Sequence, residues 1–234
     1  MKTHFFKILS RGLIWTLIGI AGLFLMYYSA RSCTSRAHDT DPADGFTAAE
    51  KAVIQAPAPA GRNDYEGKIL RLWKIDRHPD SLLLRAVSQP VTKEMLATDE
   101  FRRLNERMLV TVKDSLDEGV GLAAPLIGIS RQLFVVQRFD KPGEPFETYL
   151  NPVLLEKSDS LIQGVEGCLS VPILWGNVSR SQEITLSYRN LNFEEVTETI
   201  KGFTAVIFQH EYDHLQGQLY IDKMDSLYIP KEND

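Results

Sequence analysis

His210-Glu211-Tyr212-Asp213-His214 sets two imidazoles and two carboxylates within five consecutive residues. On a helix of about 3.6 residues per turn, side chains four apart point the same way to within about 40°, so both histidines can reach one ion. Glu211 stands one step round, where a carboxylate can contact a water on that ion without itself ligating it. A catalytic site with an open coordination position usually wants a third protein ligand. Cys168, in Glu166-Gly167-Cys168-Leu169-Ser170, is the best candidate, with Gly167 removing a side chain beside the thiol so that backbone and ion can come close. A thiolate with two neutral imidazoles suits Zn²⁺ or Fe²⁺ far better than Mg²⁺ or Ca²⁺. His4, His38 and His78 have no such partner spacing.

A third segment, Gly119-Val120-Gly121-Leu122-Ala123-Ala124-Pro125-Leu126-Ile127-Gly128, is rich in small residues and fits the wall of a narrow cleft. In order and spacing, GVGLAAPL, EGCLS and QHEYDH resemble the peptide deformylase motifs G-x-G-x-A-A-x-Q, E-G-C-x-S and Q-H-E-x-D-H. The resemblance runs over roughly residues 78–217 and includes His78-Pro79-Asp80 and Leu84-Arg85 leading to Pro90-Val91. It implies that Cys168, His210 and His214 hold one divalent metal, Fe²⁺ or Zn²⁺, that Glu211 is the general base and acid, and that the Leu169 backbone N–H is an oxyanion donor. It places Gly119, Gly121 and Leu126 along the substrate. The implied reaction removes the N-formyl group from formyl-methionyl peptides, with Glu211 taking a proton as water attacks and returning it to the leaving amine.

Leu126 departs from the family, which carries a glutamine there whose amide would bind the formyl oxygen; leucine donates nothing from its side chain. Losing one oxyanion donor typically costs about 10²–10³ in rate. Leu126 reads equally as core filler or as a pocket wall. Glu166 is either an outer ion pair to the site or part of a solvated turn, and Asp213 either faces solvent or orients a ligand histidine. Ile173-Leu174-Trp175 is apolar where relatives are often polar or basic, so peptide preference is open to change. Two other functions compete: an amidase or peptidase of altered specificity, and a non-catalytic peptide binder of the cell envelope.

The N-terminus differs in kind from the rest. Residues 12–30 carry no charge, with Lys2, Lys7 and Arg11 before them and Arg31 and Arg36 after. That length approaches a membrane span of about 20 residues, and Trp15 and Tyr27-Tyr28 match interfacial aromatic belts. The expectation is an anchor or signal segment over residues 1–36, a linker with a short helix over 37–66, and a catalytic domain over 67–234. The basic N-terminal flank favours an extracytoplasmic, periplasmic-side domain; export after cleavage, or lipid attachment at Cys33, is the alternative. Outside residues 1–36 the chain holds 21 basic and 31 acidic residues, a poor balance for binding nucleic acid or contacting a ribosome.

Within the linker, Thr47-Ala48-Ala49-Glu50 has capping-box spacing, and the Pro/Ala run at residues 56–60 reads as a semi-rigid spacer holding the domain off the bilayer. Apolar spacing over residues 92–117 predicts one long helix. Residues 133–136 and 184–188 read as strands, the latter with a return strand at 196–200, while Asn151-Pro152 reads as a break. The metal-bearing helix should begin near Phe203 and stop at Gly217. The fold class is α+β, with small, largely antiparallel sheets around that C-terminal helix and one N-terminal transmembrane helix ahead of them.

Overall fold

The computed structural model describes residues 45–61, 68–114 and 119–228. The chain divides after Asp41 into two units, and every described residue belongs to the second. The expected membrane segment at residues 1–36 lies outside the described residues, among which no helix is long and apolar enough to cross a membrane.

Two antiparallel sheets frame one helix. The larger has the order β1-β2-β3-β6-β7, from β1 (Gly121–Ala123), β2 (Leu133–Gln137), β3 (Phe146–Lys157), β6 (Glu183–Arg189) and β7 (Glu195–Lys201). The smaller has the order β4-β5-β8, from β4 (Leu161–Cys168), β5 (Val171–Ser181) and β8 (Ser226–Leu227). Among the described residues, four helices precede β1: α1 (Ala48–Gln55), α2 (His78–Leu84), α3 (Lys93–Leu96) and α4 (Asp99–Thr111). The metal-motif helix, α5 (Gly202–Leu215), packs on β1 and β2 of the larger sheet and also touches β5 of the smaller. The α+β class with antiparallel sheets and a C-terminal helix is therefore as expected.

The residues explain why α5 ends up inside. Ala205, Ile207, Phe208 and Leu215 join the main core with Leu122, Phe134 and Tyr149, so apolar surface leaves water on several sides of the helix. Gly217, at φ 69°, ends it; a Cβ there would lie 2.4 Å from the Arg85 carbonyl oxygen, so only glycine lets the chain pass that close. The expected hairpin is present, β6 pairing with β7 from Glu183↔Lys201 to Arg189↔Glu195, and Asn190 Oδ1 closes its turn by accepting from the amides of Asn192 and Glu194.

Two expectations need correction. The single helix over residues 92–117 is two, because the Thr98 side chain accepts from the Phe101 amide and starts α4 afresh. Asn151-Pro152 does not end a strand: β3 runs through it with a register shift between Leu150 and Val153, Asn151 taking φ 47°. The short helix expected in the linker is present and packs into the core, while the Pro/Ala run after it stays exposed or half-buried. Thr47 and Glu50 form the capping box of α1, and Phe46 and Ile54 are fully buried. Glu50 pairs with the buried Arg131 at 2.6 and 2.9 Å, and Arg107 donates to the Ile54 and Ala56 carbonyl oxygens, both at 2.7 Å.

Candidate metal centre

One potential ligand atom from each of Cys168, His210 and His214 lies within 4.8 Å of the others, the one such cluster found among the described residues. Cys168 Sγ is 3.4 Å from His214 Nε2. The sulfur comes from the last residue of β4, which pairs with Val171 across a two-residue turn, so the hairpin tip carries the thiol to α5. The two imidazoles cross nearly edge to face with centroids 4.8 Å apart, as expected of neighbours four apart on a helix.

The surrounding charges orient these rings. His210 Nδ1 is 2.8 Å from Glu166 Oε2, which leaves Nε2 for a cation. Glu166 is gripped by Arg180, whose Nε and Nη2 donate to its two oxygens at 2.8 and 2.9 Å. The remaining Arg180 nitrogen, Nη1, donates to Asp213 at 2.5 Å, and Lys223 reaches the other Asp213 oxygen at 2.5 Å. Glu166 and Asp213 are thus buried ion-pair members rather than solvated surface. Burial opposes charge on Glu166, yet hydrogen bonds from Arg180 and His210 hold its carboxyl down at about 2. Burial likewise opposes charge on His210, but hydrogen bonding to Cys168 and Glu166 raises it to about 10. His214 is driven the other way by its burial and by the charges of His210 and Arg180.

This donor set fits a divalent cation. A sulfur and two imidazole nitrogens converge beside a buried carboxylate that already fixes the far nitrogen of one ring. Soft sulfur with nitrogen is the chemistry of Zn²⁺ or Fe²⁺ rather than of the oxygen-seeking ions.

Glu211, 4% exposed, points from the same helix toward β1. Burial pushes its carboxyl up to about 7, the His210 charge and a hydrogen bond to the Ala123 backbone working against that rise. Gly121 explains its placement: a Cβ there would sit 2.5 Å from Glu211 Oε1 and 2.9 Å from its Cγ and Cδ. Gly121→Ala should therefore leave the fold intact, because a flexible side chain can yield, but displace the carboxylate and lower kcat about 10²-fold, as misplacement by about 1 Å does. Turnover alongside a thermal unfolding curve checks both halves.

A cleft of about 550 Å³ opens over these groups, lined by Gly119, Gly121, Leu126, Leu169, Trp175 and Phe203 among others. Leu126 occupies a 3₁₀ turn, Ala124–Ile127, and is both core and cleft wall, so its two sequence readings coexist. Gly167 has a further reason: a Cβ there would stand 2.6 Å from the Trp175 ring, so the glycine makes room for the indole. Beyond it Ile173 is 98% exposed at φ 68°, an unusual conformation for a β-branched residue.

Sequence reasoning missed Arg180, Lys223 and Lys74. Arg180 had a usable signal, a charge on a strand whose neighbours alternate, since an inward-facing charge must find a partner.

The polypeptide deformylase profile matches residues 72–228. A relative named peptide deformylase, from Pseudothermotoga lettingae, is 38% identical over 148 residues, spanning 61% of this chain and 82% of the relative. Among solved structures, the peptide deformylase of Thermotoga maritima has a TM-score of 0.59 at 35% identity, covering 67% of this chain and 98% of that one. The class I type b enzyme of Acinetobacter baumannii bound to actinonin gives 0.59 at 32% identity, covering 67% and 99%, and the same enzyme bound to Met-Ala-Ser gives 0.59 at 33%, covering 67% and 98%.

Proposed function

The chain belongs to the polypeptide deformylase family, metal-dependent hydrolases that remove the N-formyl group from peptides, and from that premise we propose how its own residues divide the work. Cys168, His210 and His214 hold one divalent ion, Fe²⁺ or Zn²⁺. When bound, that ion supplies Lewis acidity, which brings the ionisation of water toward neutral pH. Glu211 takes a proton from the attacking water at a carboxylate oxygen and returns it to the leaving amine of a formyl-methionyl peptide. Gly121 keeps that carboxylate over the cleft, and Glu166 fixes the ring of His210 through Nδ1. The Leu169 N–H, beside Cys168 in the cleft wall, donates to the oxygen on which charge develops. Gly119 leaves room for the peptide main chain.

The observation that carries this reading is the convergence of one sulfur and two imidazoles, within 4.8 Å, beneath a cleft that Glu211 also lines. Protein loaded anaerobically with Fe²⁺ should release formate from formyl-Met-Ala-Ser, and metal-stripped protein should not. No formate from the loaded form would overturn the assignment.

Leu126 favours a second reading of the same site, an amidase or peptidase that uses an apolar wall in place of an amide donor. Leu126→Gln discriminates the two. For a deformylase it should raise kcat roughly 10-fold, short of the about 10²–10³ that an oxyanion donor is worth, because the new amide has no partners to aim it. For the altered amidase it should lower turnover of non-formylated acyl peptides.

The uncharged residues 12–30 and their basic N-terminal flank support a membrane anchor with the catalytic domain on the extracytoplasmic side, residues 1–36 forming the anchor. A reporter enzyme fused to the C-terminus, active only in the cytoplasm, would reject that orientation by being active.

A further inference from the structure

Lys74 lies in a segment that bridges two walls of the cleft. The Trp73 amide donates to the Leu126 carbonyl at 2.7 Å, and the Ile75 amide to the Ser170 carbonyl at 2.9 Å, so residues 73–75 tie the 3₁₀ turn to the hairpin tip bearing Cys168. Between them the Lys74 amide donates to Asp80 Oδ2 at 3.0 Å, and Asp80 is buried and held bidentately by Arg71 at 2.8 and 2.9 Å. The backbone at Lys74 is thereby fixed, and its side chain is directed into the cleft wall.

Its ammonium meets one acceptor, the Leu169 carbonyl oxygen at 2.5 Å, and no carboxylate pairs with it among the described residues. That carbonyl belongs to the peptide unit whose N–H is that of Ser170, and the Ser170 N–H points at Cys168 Sγ, 3.4 Å away. A cation on the oxygen of an amide draws electron density toward it and makes the N–H at the other end a stronger donor, since hydrogen bonds in series polarise one another. Sulfur carrying negative charge in a partly buried site gains most from such a donor.

We infer that Lys74 is a positioning residue for the metal centre: through the Leu169–Ser170 peptide its ammonium strengthens the Ser170 N–H hydrogen bond to the Cys168 sulfur. This rests on the ligand set assigned above but not on the substrate. The arrangement couples the 3₁₀ turn carrying Leu126 to the sulfur ligand through one side chain and one peptide unit.

The test uses the full-length protein with Co²⁺ as the probe ion. In Lys74→Met the sulfur-to-cobalt charge-transfer band should move to longer wavelength, because a less stabilised sulfur gives up electron density more readily. Co²⁺ affinity, read by competition with a chromophoric chelator, should fall about 10–100-fold, the usual effect of removing an outer partner of a ligand. Lys74→Arg keeps a cation and should keep both values near those of the parent. An unmoved band and unchanged affinity in Lys74→Met would overturn the inference, as would an equal displacement in Lys74→Arg, which would show that shape rather than charge matters. If Lys74→Met fails to fold by circular dichroism, Lys74→Gln provides the same readout. Both measurements are independent of formate release, so failure here and failure of the deformylase reading are separable.

Discussion

Glu211→Gln is expected to lower kcat by about 10³–10⁴, the upper part of what a positioned acid and base contributes, while leaving metal content and fold unchanged. The substitution keeps size and shape in a site too crowded for a Cβ on Gly121. It removes only the capacity to accept a proton. Glu211 Oε2 is buried with no hydrogen-bond partner, so no protein donor is committed to that carboxylate oxygen. Its raised value, near 7, is that of a group able to give back a proton after taking it. Formate release, metal analysis and an unfolding curve on the same preparation test this together. Activity within tenfold of the parent would show that another group moves the proton.

Arg180→Met should cost about 3–5 kcal/mol of stability, as removing one partner of a buried charge cluster does. Arg180 is 4% exposed and serves Glu166 with two hydrogen bonds and Asp213 with a third. Methionine fills most of the volume but leaves two buried carboxylates relying on His210 and Lys223. Glu166 then no longer has a fixed orientation to impose on the His210 ring, so metal affinity should also fall about 10–100-fold. Urea unfolding of the metal-free protein isolates the first effect, and chelator competition the second. A stability change under about 1 kcal/mol would mean that water replaces the guanidinium and that the cluster is not dry.

How much of this was legible before any coordinates follows from the range of each interaction. His210, Glu211 and His214 are related by helical period alone, and the chain makes that period for local reasons, so the motif could be read directly. Cys168 needed a pairing over 46 residues, and only the chemistry of the missing ligand pointed to it. Thr98 as a helix start was readable, with Asp99 and Glu100 in the first turn, but the continuing apolar spacing masked it. Lys74 was not legible, because a lone cation in a loop acquires meaning only from the carbonyls that folding brings to it, and the charge of Arg180 on its strand signalled a partner without saying which. The same holds for α1. Its capping box was plain, yet its burial depends on arginines 81 residues away at Arg131 and 53 away at Arg107.

The docking of that first helix bears on how the protein can be cut. A fragment trimmed to the matched family region would begin at residue 72, discarding Phe46 and Ile54 from the core and the acceptors that Arg107 and Arg131 use. Stranding buried guanidinium groups costs about 3–5 kcal/mol, a large share of the about 5–15 kcal/mol by which a domain is stable. Such a fragment should unfold well below the temperature of one starting at residue 42, a comparison that calorimetry reads directly. Residues 46–56, upstream of the shared sequence, are a keystone for the hydrolase.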